Sequence, residues 1–140
     1  MTSPIKTTAT RLTHDHKADD PVEIARIEEA GGFVLRSRVL GILAVARAIG
    51  DHAMKEFVVG RPFTSIVDVF NHADDESNNV ETKTFVCVAC DGLWDVMTDE
   101  EVTDFIAQAG KEDEKISRKL IDEAMKRGSS DNISVVVAWF

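Results

Sequence analysis

The chain is short of cysteine, of cations and of long apolar runs, and each shortage excludes a class of protein. Its two cysteines, Cys87 and Cys90, make a single C-x-x-C in 140 residues. No second pair is present to complete a structural zinc site, and thioredoxin-type pairs open a helix. Here the pair lies in Thr84–Cys90, which reads as a buried strand. Positions i and i+3 of a strand point to opposite faces, so the two thiols are not placed to meet and are expected to pack as small hydrophobes. Lys and Arg number 16 against 25 Asp and Glu, a formal charge of −9. Without clustered Lys and Arg, that balance argues against nucleic acid or an anionic membrane as partner. No apolar run approaches the ~20 residues of a membrane-spanning helix. The first six residues, Met1-Thr-Ser-Pro-Ile-Lys6, hold no apolar signal core, so the expected location is the cytoplasm, with the nucleus as the alternative.

What remains is an ordinary globular composition, 44% hydrophobic and 29% charged, with no internal repeat and no dividing linker. The length suits one domain that buries about 70% of its unfolded surface. Asp20-Pro21-Val22-Glu23 reads as a helix start, Asp at the N-cap and Pro in the first turn, with the helix running to Ala30 and stopped by Gly31-Gly32. Thr10–Thr13, Phe33–Leu35 and Arg38–Leu40 read as short strands, and Thr64–Phe70 alternates like one. Leu43–Ile49 is apolar except for Arg47, which is expected to be a buried or partnered cation. Residues 71–82 read as a solvated loop. Thr84–Cys90 and Ile133–Phe140 read as buried strands. Between them Thr98-Asp-Glu-Glu101 forms a capping box for one helix, and Ile116 to Met125 shows the spacing of a second, stopped at Gly128. The sum is an α+β fold.

Three aspartates stand out by position. Asp91 ends the strand at 84–90, Asp95 follows four residues later, and Asp131 precedes the last strand. If the two strands are antiparallel neighbours, Asp91 and Asp131 reach the same edge of the sheet. Carboxylates gathered there without Cys or His suit Mg²⁺ or Mn²⁺. Asp before Gly, and Ser-Asp-Asn, are equally good turn chemistry. His14-Asp-His16 with Asp19-Asp20 resembles a ligand cluster, but the helix start at Asp20 explains the carboxylates more simply.

Four ordered stretches carry a family resemblance. Leu12-Thr-His-Asp-His-Lys17, with Glu23, Arg26-Ile27 and Gly31-Gly32, resembles an L-T-x-D-H-K segment and its helix. Arg38 to Asp51 resembles R-V-x-G-x-L-A-V-S-R-A-F-G-D. Ala89-Cys-Asp-Gly-Leu-Trp-Asp95 resembles A-S/C-D-G-L/I-W-D, and Gly128-Ser-Ser-Asp-Asn-Ile-Ser134 resembles G-S-x-D-N-I/M-S/T. Together, from about residue 11 to residue 140, they are similar to the C-terminal half of the metal-dependent protein phosphatases of type 2C. Ala46 stands where that family has Ser, and Ala18 where it has Pro.

The resemblance implies a partial 2C-like α/β sandwich, antiparallel sheets flanked by antiparallel helices, with the N-terminal half missing. It places Asp91 and Asp131 at ligand positions of a two-metal centre and Asp95 at a third, weaker metal. The implied reaction is hydrolysis of phosphoserine and phosphothreonine in a phosphoprotein substrate by a water that Mg²⁺ or Mn²⁺ activates. The phosphate-binding Arg motif, the D-G-H-G-G motif and a further Asp motif of the family's first half are not in this sequence, so no catalytic acid or phosphate-gripping Arg is assigned. Two readings follow. One is a fragment of an active phosphatase, inactive in isolation. The other is a naturally shortened, catalytically dead module with a regulatory or interaction role. Strand edges and apolar faces left uncovered predict a homodimer, in one form domain-swapped.

Overall fold

The structure, a computed structural model, describes residues 7–68, 84–111 and 113–140. It contains two compact units, Leu12–Ile66 and a unit joining Met1–Arg11 to Val67–Phe140.

In the Leu12–Ile66 unit, helix α1 spans Pro21–Glu29. The Asp20 carboxylate accepts from the amides of Val22 and Glu23 at 2.8 and 3.2 Å, satisfying donors that a first helical turn leaves orphaned. Strands β1 (Val34–Leu35) and β2 (Arg38–Val39) pair antiparallel. Their two-residue turn puts both Arg36 and Ser37 at positive φ, 52° and 56°, the backbone that matches strand twist in a tight hairpin. A 3-10 turn follows at His52–Met54. Ala18, Ile27, Val39, Ala46, Met54 and Val58 form the core. Ala18 and Ala46 are both fully buried, where a methyl group needs no hydrogen-bond partner. Their backbones tie the two motif segments together: the Ala18 amide donates to the Ala44 carbonyl at 2.8 Å, and the Ala46 amide to the His16 carbonyl at 2.9 Å.

In the other unit, β3 (Phe85–Ala89) pairs antiparallel with β4 (Val135–Trp139), Phe85 opposite Trp139 and Ala89 opposite Val135. Between them lie α2 (Asp91–Trp94), α3 (Asp99–Ala109) and α4 (Ile116–Lys126). The capping box is present in full: Thr98 Oγ1 accepts from the Glu101 amide at 3.2 Å and the Glu101 carboxylate from the Thr98 amide at 3.0 Å. Gly128 takes φ +95° just past α4, a left-handed position that favours glycine at helix ends. One face of the β3–β4 pair, with Phe85, Cys87, Val135, Val137 and Trp139, packs on a core of Leu93, Val102, Ile106, Leu120 and Ala124. The opposite face exposes Val88 and Val136.

Three expectations change. Thr10–Thr13 forms no strand; Arg11 instead bonds Asp99 by its side chain and lies over the Trp94 ring, 5.2 Å from its centroid. Residues 64–68 are exposed and not in a strand, since β-branched side chains make a strand only where an edge is there to pair with; the rest of that stretch, and the loop at 71–82, fall outside the described residues. Leu43–Ile49 makes isolated bridges rather than a continuous element, burying Ala46 while Ile49 stands exposed.

Candidate functional site

The antiparallel register of β3 and β4 decides where the aspartates go. Because Ala89 faces Val135, the chain leaving β3 and the chain entering β4 run side by side, and Asp91 and Asp131 come to one end of the sheet as expected. Asp91 does not simply end a strand. It opens the helical turn α2, and the Asp95 amide donates to the Asp91 carbonyl at 2.8 Å, so Asp91 and Asp95 stand one turn apart.

Asp91-Gly92 reads in the sequence as turn chemistry, but Gly92 is needed for more than a turn. A Cβ there would lie 2.3 Å from the Asn132 carbonyl oxygen, so the residue is glycine because two backbones touch. Four hydrogen bonds hold that contact. Ser129 Oγ donates to the Gly92 carbonyl at 2.6 Å. The Cys90 thiol donates to the Asn132 carbonyl at 3.0 Å and accepts from the Ser134 amide at 3.2 Å. The Cys90 amide donates to the Ser134 carbonyl at 3.2 Å. By residue type Cys90 reads only as a small hydrophobe, and Ser129 carries no signal of its own; their bonding partners lie about forty residues away and leave no local pattern.

As a metal site the described residues are insufficient. Asp91, Asp95 and Asp131 are exposed, and one Asp131 oxygen already accepts the Asn132 amide at 2.6 Å. Among the described residues, no three His, Cys, Asp or Glu side chains gather closely enough to hold an ion. Mg²⁺ demands near-octahedral oxygen coordination, which this donor set does not provide by itself. Asp95 also lines a shallow depression of about 470 Å³ with Arg11, Trp94 and Thr98 among its walls.

The two thiols are unpaired. Burial raises the Cys87 thiol to about 11, which suits a packing role in β3 rather than a reactive one.

The other unit places its titratable motif residues in a cluster of a different kind. Glu23, on the same face of α1 as Ile27, is 1% exposed. It accepts from Arg47 Nε at 2.7 Å, Arg26 Nε at 2.8 Å and His16 Nδ1 at 2.9 Å. Burial pushes its carboxyl up, but the bonds from Arg47 and Arg26 outweigh this and the net direction is down. Arg47 is therefore the partnered cation that the apolar run 43–49 predicted, and Arg26 also donates to the Ala46 carbonyl at 3.0 Å. His14 Nε2 pairs with Asp20 at 2.7 Å. Both histidines of the suspected ligand cluster thus have carboxylate partners, one in the helix cap and one in a buried ion cluster. A Glu on an apolar helix stripe was the sequence signal for that cluster.

Comparison with known proteins agrees with this geometry. The sequence pattern of the family described as Protein phosphatase 2C matches residues 4–133. Protein phosphatase 2C homolog 1 of Saccharomyces cerevisiae is 40% identical over 129 residues, 92% of this chain and 42% of that protein. A solved C. elegans sex-determining protein superposes with TM-score 0.76 at 29% identity, over 95% of this chain and 33% of its own. A Toxoplasma gondii phosphatase does so with TM-score 0.70 at 28% identity, over 91% and 41%. The chain thus spans well under half the length of these relatives, and its α+β arrangement is part of their fold. The chain belongs to the protein phosphatase 2C family.

Proposed function

We propose that the chain contributes the C-terminal part of a Mg²⁺- or Mn²⁺-dependent protein phosphatase acting on phosphoserine and phosphothreonine, and that it does not hydrolyse phosphoprotein alone. One observation supports this above the others. The dipeptides Asp91-Gly92 and Asp131-Asn132, forty positions apart in the sequence, are brought into backbone contact at one end of the β3–β4 sheet. Carboxylates there would serve as part of a ligand set, with Asp95 one turn away; the remaining ligands and the phosphate-binding Arg would come from the family's other half. The net charge of −9 is compatible with an anionic substrate only if divalent cations stand between them.

The test is hydrolysis of a phosphothreonine peptide with Mn²⁺ by two proteins, the 140-residue chain and a hybrid joining it to an N-terminal segment that carries D-G-H-G-G. Activity in the hybrid alone, lost in Asp91→Ala and Asp131→Ala, is the expected result. A hybrid that folds and is inactive would sink the reading. The isolated chain is also proposed to self-associate, as a homodimer that includes a swapped form. The uncharged outer face with Val88, Val136 and Phe140 exposed supports this. A monomeric mass by light scattering at micromolar concentration would refute it.

A further inference from the structure

We infer that Cys90 is a positioning residue: its thiol fixes the spacing between the Asp91-bearing turn and the Asp131-bearing segment. The inference rests on the phosphatase reading for its functional meaning, though not for its geometry.

The two acids sit on different pieces of chain, and each is exposed. Something has to hold those pieces in register beyond the end of the ladder, which stops at Ala89 opposite Val135. Beyond that pair, Asn132 and Ser134 lie outside the named strand and are exposed, so their backbone groups would otherwise bond water; Cys90 bonds them instead. A thiol can donate and accept through one atom. Cys90 Sγ uses both capacities here, toward the Asn132 carbonyl and from the Ser134 amide, while its own amide donates to the Ser134 carbonyl.

Cys90 therefore makes three bonds to two residues. It is the immediate neighbour of Asp91, and Asn132 is the immediate neighbour of Asp131. Each acid is thus one residue from a clamped position. Ser129 closes the other side through the Gly92 carbonyl, and the close approach of Gly92 to Asn132 leaves no slack for the segment to slide.

This differs from packing in a way that can be measured. If Cys90 only fills space, Cys90→Ala or Cys90→Val would serve as well as Cys90→Ser, because burying an extra hydroxyl gains nothing. If the thiol clamps, serine keeps both hydrogen-bonding capacities, while alanine and valine lose them.

The experiment is residue-resolved amide hydrogen exchange by NMR on the 140-residue chain and these three variants. Loss of one hydrogen bond should speed exchange of the Ser134 amide about tenfold in Cys90→Ala and Cys90→Val. Cys90→Ser should stay close to the parent, and amides of α3 should be unchanged in all. Equal protection of Ser134 in the alanine or valine variant and the parent would overturn the clamp. Should alanine unfold the chain, the valine–serine comparison decides. In the phosphatase hybrid, Cys90→Ala should lower kcat about tenfold with KM nearly unchanged, and Cys90→Ser should restore it; full kcat in the alanine variant would overturn the positioning role. Exchange does not depend on hydrolysis. An inactive parent hybrid would therefore count against the phosphatase reading while leaving the clamp to be decided by exchange.

Discussion

Replacing Glu23 by alanine should strongly destabilise the Leu12–Ile66 unit. The carboxylate is 1% exposed and holds Arg47, Arg26 and His16 around it. Removing one member of a buried ion cluster typically costs about 3–5 kcal/mol, because the charges left behind lose their partner. The Arg47 and Arg26 side chains remain 21% and 27% exposed, so part of their charge can be rehydrated, which points to the lower end, about 3 kcal/mol. A unit of this size has a total stability on the order of 3–8 kcal/mol, so the loss removes a large share of it. Glu23→Gln keeps the shape and one acceptor but turns an NH₂ toward a guanidinium, and it should fall between the two. The assay is urea unfolding combined with hydrogen exchange at the amides of Ile27 and Val39, which report on this unit alone. The pH dependence gives a second reading. The folded pKa of Glu23 lies below its unfolded value near 4.3. Its contribution is therefore present above that value and lost as pH falls through the lowered folded pKa. The alanine variant should lack that part of the acid transition. An unchanged urea midpoint in Glu23→Ala would refute the argument that this cluster holds the unit.

Gly92→Ala should cost about 1–3 kcal/mol or more, since its Cβ would meet a backbone oxygen at 2.3 Å and no flexible side chain can yield; a melting temperature equal to the parent's would show the two backbones free to separate. Thr98→Ala removes one half of the α3 capping box and should destabilise by about 1 kcal/mol, read as a lower urea midpoint with an unchanged slope. Cys87, whose thiol burial raises to about 11, should make the fold lose stability as pH rises from the unfolded thiol's value near 8.5 towards 11, because only the unfolded state ionises there. Cys87→Ala should flatten that alkaline decline, as followed by urea midpoints between pH 8 and 10.

Local chemistry accounts for what could be read without coordinates. The cap at Asp20, the box at Thr98, the helical spacing of Ile116 to Met125 and the apolar runs at 84–90 and 133–140 each act within one or two turns of chain. Each emerges as α1, α3, α4, β3 or β4. The same reasoning failed where it had only propensity to use. Thr10–Thr13 and residues 64–68 have strand-like residues but no described strand partner, and the helical turn at Asp91–Trp94 was hidden behind a strand that ends two residues earlier.

The sequence by itself determined α1, α3, α4, β3 and β4, the acidic balance and the ordered motifs that carry the family membership, because all of these depend on residue identity at short range. Tertiary structure alone decided the rest. It showed that Arg47's partner is Glu23, that Gly92 is glycine because Asn132 presses against it, and that Cys90 bonds a segment more than forty residues away. The contacts of Gly92 and Cys90 follow from antiparallel pairing of β3 with β4 across three intervening helices, and that of Arg47 from the packing of its segment against α1. Hydrogen bonds and steric exclusion act over a few ångströms of space, whatever the distance along the chain, so no local pattern records them.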